Sequence, residues 1–560
     1  MKKWTILSED RKEKTARPAS QSEAGEDRII EILLKNRGIK TKKEIKEFLN
    51  PLDPYKLTAK DLGINPKGAT KAVNRIKRAI KKKEKIIIYG DYDTDGVCAT
   101  AILWETLHKI GADVMPFIPK REEGYGMKVE RIDEFAKEKV SLIITVDNGI
   151  VSLKQVEHAK KQGIDVIVTD HHIPGKEKPK AFALVHTAKL SGSGVSWFLA
   201  TKLGKPGLDL VTIGTVSDVM PLLGENRAII FHGLSEVRKT KRLGLRELCS
   251  AAGILPENIG TYEIGFIIGP RLNAAGRMDD PMESLRLVLT PKQERATLLA
   301  QKIDQQNRER QLLTNRMTFH AKELWFSQDG KSKLIFVSHE SFEEGVVGLV
   351  AGKLVEEFYR PAVIVAQGEK YSRASARSIN GFNIVEAIRA CSDILGPHGG
   401  HPLAAGFSVE TIRLEELRTR LVKLAEKQLD EEKLTPVLKI DLELDLSDIN
   451  FDLFENLKKL EPFGFGNPEP VFLTRNLTVS DARTVGNGNQ HLVLNVKCSA
   501  SGGSNVKFRA IGFGMGGLFS QLSPDKPVDA VYNLLVDEWN NQRRLQLKIK
   551  DLRIEDGERI

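Results

Sequence analysis

The chain lacks most of what would assign it to a membrane or to an oxidising compartment. Its four cysteines, Cys98, Cys249, Cys391 and Cys498, stand far apart with no paired spacing. That argues against a disulfide framework and against a zinc knuckle, and leaves ordinary buried thiols as the simpler reading. No apolar run approaches the ~20 residues of a membrane span, and the start, Met1-Lys2-Lys3-Trp4-Thr5, lacks the apolar core of a signal peptide. A cytoplasmic protein is expected. Charge of one sign is not in great excess either: 85 Lys and Arg face 75 Asp and Glu, a net of +10. Any strongly acidic site subtracts from that total, so basic surface elsewhere must be richer than the sum implies, which suits phosphate-rich partners. At 560 residues the chain is too long for one core, and two to four domains are expected.

What the chain does have is acids at the ends of apolar runs. Ile86-Ile87-Ile88-Tyr89 empties into Gly90-Asp91-Tyr92-Asp93-Thr94-Asp95-Gly96, and Leu142 to Val146 into Asp147-Asn148-Gly149. Val166 to Thr169 ends in Asp170-His171-His172, and Leu210 to Val216 leads into Ser217-Asp218. Short β-branched runs bounded by Gly or Asp, with helix-like segments between, read as buried parallel strands of an α/β sheet. In such sheets chemistry gathers beyond the carboxyl ends of the strands, so these acids are expected to meet in one crevice.

Carboxylates crowded together push protons back onto one another unless cations hold them. Asp oxygens with one or two imidazoles suit Mn2+ or Mg2+, whereas zinc more often brings thiolate. Two such ions clamping a phosphoryl group and activating water is the chemistry the set supports best. Each motif alone has a plainer reading. Asp91 to Gly96 has the look of a calcium loop, but the Glu expected at its twelfth position is missing, and Asp147-Asn148-Gly149 alone is more often a turn. Four acidic ends in order are harder to read as turns.

The organisation along the chain is α/β with a change of character at the end. Residues 1–84 read as an N-terminal helical segment packed on the catalytic domain, which runs from 85 to 290. Within the first segment, Arg75 to Lys83 forms a dense basic stretch, either a solvated helix face or a nucleic-acid contact. Residues 291–328 carry helical periodicity with almost no Gly or Pro and predict one long connecting helix. A second α/β domain follows over 329–428, with strands at Lys333 to Val337 and Pro361 to Val365 around a helix from Gly345 to Phe358. After a polar linker, residues 437–560 alternate in the manner of a small β-barrel. Phe508, Arg509, Trp539, Arg543 and Arg544 there suit stacking and phosphate contacts, with a core role the equal alternative for Phe508.

The four acidic motifs resemble those of the DHH phosphoesterase superfamily. Gly269-Pro270-Arg271-Leu272-Asn273-Ala274-Ala275-Gly276-Arg277-Met278, Ser375-Ala376-Arg377-Ser378, Gly399 to Phe407 and Pro462 to Pro470 are similar to its RecJ branch of single-strand-specific exonucleases. The resemblance runs from about residue 20 to the C-terminus. It implies a parallel-sheet DHH catalytic domain, a DHHA1-like substrate-binding domain and a C-terminal OB-like barrel. It also implies a metal-dependent exonuclease that degrades single-stranded DNA from its 5′ end, in repair and recombination, through a cleft too narrow for a duplex. A single-strand-binding protein and a RecQ-type helicase are the implied partners of a monomer.

Residue by residue, the resemblance makes Asp93, Asp95, Asp147, His171 and Asp218 ligands of two Mn2+ or Mg2+ ions. Asp170 orients an imidazole, His172 either touches the scissile phosphate or protonates the leaving oxygen, and Asp91 is either a ligand or the partner of a bound water. Arg277, Ser375 and Arg377 hold a 5′ phosphate, Gly399, Gly400 and His401 form a substrate loop, and Arg121 and Tyr125 add a DNA contact and a base stack. Tyr89 departs from the pattern, since many members carry histidine there. Two other classes use the same fold. A phosphodiesterase or oligoribonuclease for short or cyclic nucleotides usually lacks the barrel, and a non-catalytic replication scaffold would be expected to have lost acids that are all in place here.

Overall fold

The computed structural model describes residues 2–8, 23–124, 126–499, 505–523, 526–539 and 542–554. The acidic motifs sit on a five-stranded, wholly parallel sheet: β1 (Lys85–Tyr89), β2 (Val114–Phe117), β3 (Val140–Val146), β4 (Asp165–Asp170) and β5 (Ala183–His186). Its spatial order is β2-β1-β3-β4-β5, so the winding reverses between β1 and β3. That reversal opens a crevice outside the carboxyl ends of those two strands, where Asp91 to Asp95 and Asp147 emerge. Ile86, Ile88, Leu142, Ile144 and Ile167 are fully buried, as continuous apolar strands covered on both faces must be.

Three helices carry chain back across the crevice: α1 (Thr94–Lys109), α2 (Gly192–Thr201) and α3 (Asp209–Ser217). The last corrects the sequence reading, which made Leu210 to Val216 a strand. Leu210, Val211, Thr212, Ile213, Gly214 and Thr215 are all buried. A short run that is apolar on every side shows neither a two-residue nor a 3.6-residue period, so pattern alone does not separate strand from buried helix. The helix α4 (Gly269–Met278) follows, and then α5 (Gln293–Gln328), 36 residues long.

The second sheet belongs to the same compact unit as the first. It comprises β6 (Ile335–His339), β7 (Ala362–Ala366), β8 (Tyr371–Arg377), β9 (Leu395–His401) and β10 (Ala404–Glu410), ordered β9-β10-β8-β7-β6. Only β6 and β7 are parallel. The helix α6 (Val347–Phe358) covers one face through Val347, Val350, Ala351 and Leu354.

A second compact unit comprises Lys3–Lys56, Met220–Phe231 and Val437–Ile560. Its sheet closes into a barrel because Phe472–Val485 pairs on one side with His491–Ser499 and on the other with Val528–Trp539. The sequence reading packed all of 1–84 on the catalytic domain. Instead Lys3–Ile6 pairs in parallel with Val437–Ile440, and Ile30, Leu33, Leu34 and Phe48 bury in the barrel's core. From Leu57 the chain joins the unit that holds the parallel sheet, where Arg75 of the basic stretch is buried against Glu84 and Asp165. Among the described residues no helix is long and apolar enough to cross a membrane.

Candidate metal centre and phosphate site

The first motif turns at once from strand to helix. Asp93 caps α1, its Oδ1 accepting the Gly96 amide at 2.9 Å, and Asp95 lies in the first turn. The helix N-terminus thus favours negative charge where two carboxylates already stand. Asp95 is held by the Ser193 amide, which donates to its Oδ1 at 3.1 Å. A Cβ on Gly214 would lie 2.5 Å from that same oxygen, so α3 can pack here only with glycine.

The second motif is a clipped turn. Asp147 takes the left-handed φ of +62°, which Asp tolerates better than most residues. Asn148 Nδ2 donates to the carbonyls of Tyr89 and Val146 at 3.1 and 2.9 Å, tying the ends of β1 and β3 together. In the third motif Asp170 Oδ1 accepts the amides of His171 and His172, at 2.7 and 3.1 Å, and lies 2.8 Å from His172 Nδ1. Its Oδ2 accepts the Ile150 amide at 2.8 Å.

These loops bring the expected ligands together. His171 Nε2 lies 3.1 Å from Asp147 Oδ1 and 3.7 Å from Asp218 Oδ2. Candidate ligand atoms of Asp91, Asp93 and Asp147 lie within 4.8 Å of one another, as do those of Asp95, His171 and Asp218. Burial and mutual repulsion push Asp91 and Asp147 well above the usual carboxylate range, raise Asp93, and lift Asp218 to about 9. Asp91 Oδ1, Asp95 Oδ2 and Asp218 Oδ2 are buried and accept no hydrogen bond among the described residues. Buried anionic oxygens without donors are costly unless cations meet them. The donor set, carboxylates with one imidazole, fits Mn2+ or Mg2+.

Tyr89 takes no part in this cluster. It is fully buried, its ring 5.0 Å from Phe117 and 6.4 Å from Phe135, and its hydroxyl donates to the Gly126 carbonyl at 3.3 Å. The strand's alternation turns it into the core, and Asp91 fills out the group formed with Asp93 and Asp147.

Beside the carboxylates lies a cluster of cations. Arg277, at the end of α4, donates to the Gly345 carbonyl at 3.2 Å. Burial and the guanidinium groups of Arg121, Arg310 and Arg377 push it down to about 10, against the pull of Asp93. Arg121 stacks over Tyr92, 5.4 Å from the ring centroid. Arg377 Nη1 donates to Ser375 Oγ at 3.1 Å. Guanidinium groups gathered in this way suit an anion that takes paired hydrogen bonds, a carboxylate or a phosphate. Gly399, Gly400 and His401 are exposed on the edge strand β9. Register lines up Gly399 with Gly406 and Ser375, and His401 with Ala404 and Arg377, so the loop's alternate residues share a sheet face with the serine and the arginine. Tyr125 and the side chain of Trp539 lie outside the described residues.

Two contributors were not found from the sequence. Arg310 sits on α5 among many charged residues, and no motif marks it. Asn273 accepts the Thr94 amide at 2.8 Å while Thr94 Oγ1 donates to the Gly269 carbonyl at 2.9 Å. Together they fasten α4 to the first acidic loop. In the barrel, Phe451, Lys507, Phe508, Arg509, Arg543 and Arg544 line a groove of about 950 Å³. Phe508 also packs against the barrel core, as its core reading expected.

Family models match the chain in three places: the DHH family N-terminal domain over residues 85–215, the DHHA1 domain over 331–431, and the RecJ OB domain over 440–551. The single-stranded-DNA-specific exonuclease RecJ of Bacillus subtilis (strain 168) is 37% identical over 549 residues, covering 94% of this chain and 68% of that protein. The crystal structure of RecJ in complex with Mn2+ from Thermus thermophilus superposes with a TM-score of 0.81 at 30% identity, over 99% of this chain and 80% of that one. The Mg2+ complex from the same source gives a TM-score of 0.75 at 28% identity, over 99% and 79%.

Proposed function

Since this chain belongs to the RecJ family of single-stranded-DNA-specific exonucleases, we infer that the crevice at the ends of β1 and β3 hydrolyses the phosphodiester bonds of single-stranded DNA, one nucleotide at a time from the 5′ end. The observation that carries this reading is the meeting of a multi-carboxylate cluster with a cluster of arginines through Asp93 and Arg277. One half is built for cations and the other for a terminal phosphate.

Asp91, Asp93 and Asp147 would hold one ion, and Asp95, His171 and Asp218 a second, with Asp147 close enough to His171 to serve both. Bound Mn2+ or Mg2+ supplies positive charge against the phosphoryl oxygens and makes water a stronger nucleophile near neutral pH. The chain's own groups do the rest. Arg277, Arg121, Arg377 and Ser375 grip the 5′ phosphate and so set which bond lies over the carboxylates. Gly399 and Gly400 let backbone approach the strand, and His401 offers a further donor. His172, steadied by Asp170, protonates the oxygen that leaves. The barrel groove, with its arginines and aromatic rings, offers the strand a second contact. The reading extends to a cytoplasmic monomer supplied with single strands by a single-strand-binding protein and a RecQ-type helicase.

The test is a degradation ladder with Mn2+. A 5′-labelled strand should yield labelled mononucleotide at once, a 3′-labelled strand a descending series, and EDTA should abolish both. Asp147→Ala should reduce cleavage to background. An unchanged rate in that variant, or mononucleotide release from the 3′ end, overturns the reading.

A further inference from the structure

The helix that carries Asn273 and Arg277 is the last part of a longer helical run. It begins at Thr261–Glu263, passes through a π-type turn at Ile264–Ile268 and continues as α4. Single π turns recur at functional sites. This one buries Ile264 and Ile268 and turns Tyr262 and Phe266 outward, 63% and 69% exposed. Their ring centroids lie 4.9 Å apart with planes inclined by 27°. Two large aromatic rings stacked on each other and left against water hold unused apolar area.

The run is fastened along the crevice at four points. A Cβ on Gly265 would lie 3.8 Å from Val216, and one on Gly269 only 2.6 Å from Ser217, both in the last turn of α3 beside Asp218. Asn273 holds the Thr94 amide, and a Cβ on Gly276 would lie 2.3 Å from the Tyr92 carbonyl. The aromatic pair therefore stands at the Asp218 end of the metal centre and Arg277 at the other. At about 1.5 Å per residue, Phe266 and Tyr262 are roughly 10 and 16 Å along the axis from Asn273.

This inference rests on the reading above, in which the arginines hold the 5′ phosphate. The uncut remainder of the strand must then leave on the opposite side, towards the start of the helical run. We propose that Tyr262 and Phe266 form a stacking platform for bases about two nucleotides to the 3′ side of the scissile bond. An extended strand advances roughly twice the ~3.4 Å axial rise of a duplex strand per nucleotide, which brings those bases level with the rings. Stacking needs only a π face and so tolerates any sequence. Paired bases have both faces covered by their neighbours, so the platform favours single strands.

The experiment uses the full-length chain with Mn2+ and compares a 5′-phosphorylated dinucleotide, too short to reach the rings, with a dodecamer. In Tyr262→Ala/Phe266→Ala the ratio of kcat/KM on the dodecamer to that on the dinucleotide should fall about tenfold, and Tyr262→Trp/Phe266→Trp should restore it. A 2-aminopurine at the third nucleotide of the dodecamer should be quenched on binding to the wild type and not to the alanine variant. An unchanged ratio, or quenching equal in the two proteins, overturns the platform while leaving the nuclease assignment intact. If the wild type cleaves neither substrate, the assignment itself falls.

Discussion

His172 Nδ1 lies 2.8 Å from Asp170 Oδ1, and the same oxygen receives the backbone amides of both histidines. Burial alone would raise Asp170, but these bonds hold it below the usual carboxylate range. Burial likewise works against a charged His172, and the bond to Asp170 together with the fields of Asp170, Asp91 and Asp93 outweighs it, raising the imidazole. Asp170 thus keeps its charge and fixes which nitrogen of His172 faces outward, as a second carboxylate does for many catalytic imidazoles. Asp170→Asn keeps the size and loses the charge. We expect kcat on single-stranded DNA to fall by roughly 10²- to 10⁴-fold with KM little changed, measured under saturating Mn2+. A fall of less than about threefold would remove Asp170 from the mechanism.

Gly192 offers a test that touches no ligand directly. A Cβ there would lie 2.3 Å from Asp147 Oδ1 and 2.5 Å from its Cβ, and Asp147 has no easy retreat because its turn is clipped by Asn148. Gly192→Ala must therefore displace the carboxylate by a few tenths of an ångström or more. Misplacement on that scale costs up to about a hundredfold in rate, and we expect a loss of at least tenfold with a melting temperature only a few degrees lower. Gly517→Ala serves as the control. It is exposed on the barrel unit, nothing stands within 4 Å of its added Cβ, and it should keep full activity.

The metal centre should couple stability to pH. Asp91, Asp93 and Asp147 are raised by burial and by one another, and Asp218 is raised to about 9. A carboxyl raised in the folded state binds more protons there than in the unfolded chain, so its contribution is complete below the unfolded value near 4 and is lost as pH climbs through the folded value. In EDTA the melting temperature should therefore decline from about pH 5 towards pH 9. Mn2+ binds the deprotonated cluster and should raise the melting temperature most at the alkaline end. A thermal shift series with and without Mn2+ decides it. Stability that rises with pH in EDTA, or an ion effect no larger at the alkaline end, would contradict the clustered carboxylates.

Three of the four acidic loops were legible because each follows a run whose β-branched residues can hardly be anything but strand, and because the chain reverses its winding where the first two emerge. Leu210 to Val216 was not legible as helix, since a segment buried on every side carries no period. Tyr89 drew attention as a missing ligand, yet strand parity turns it away from the centre and Asp91 supplies the oxygen. Arg310 was invisible because one arginine in a charged helix looks like any other until a distant chain segment brings Arg277 and Arg377 beside it. Tyr262 and Phe266 belong to the same class: no motif marks them, and only the burial of Ile264 and Ile268 beside them shows that they point outward.

The barrel groove makes the last prediction, and it turns on which cations there are already engaged. Arg509 pairs with Asp537 at 3.4 Å, and Arg543 with Glu455 and Glu538 at 3.3 and 3.2 Å. Arg544 is exposed on the groove wall, and its guanidinium donates to the neutral Gln542 at 2.6 Å. A cation not already neutralised by a carboxylate has most to gain from a phosphate, and each phosphate met releases counterions from a single strand with a salt slope of about −0.7. Arg544→Ala should weaken binding of a long oligonucleotide, measured by fluorescence anisotropy, and make the slope of log affinity against log salt shallower by about that amount. Cleavage of a dinucleotide, which does not extend beyond the metal centre, should be unchanged. If affinity falls with the slope intact, Arg544 meets a base or another side chain and not the phosphate backbone; if neither changes, the strand does not pass through this groove.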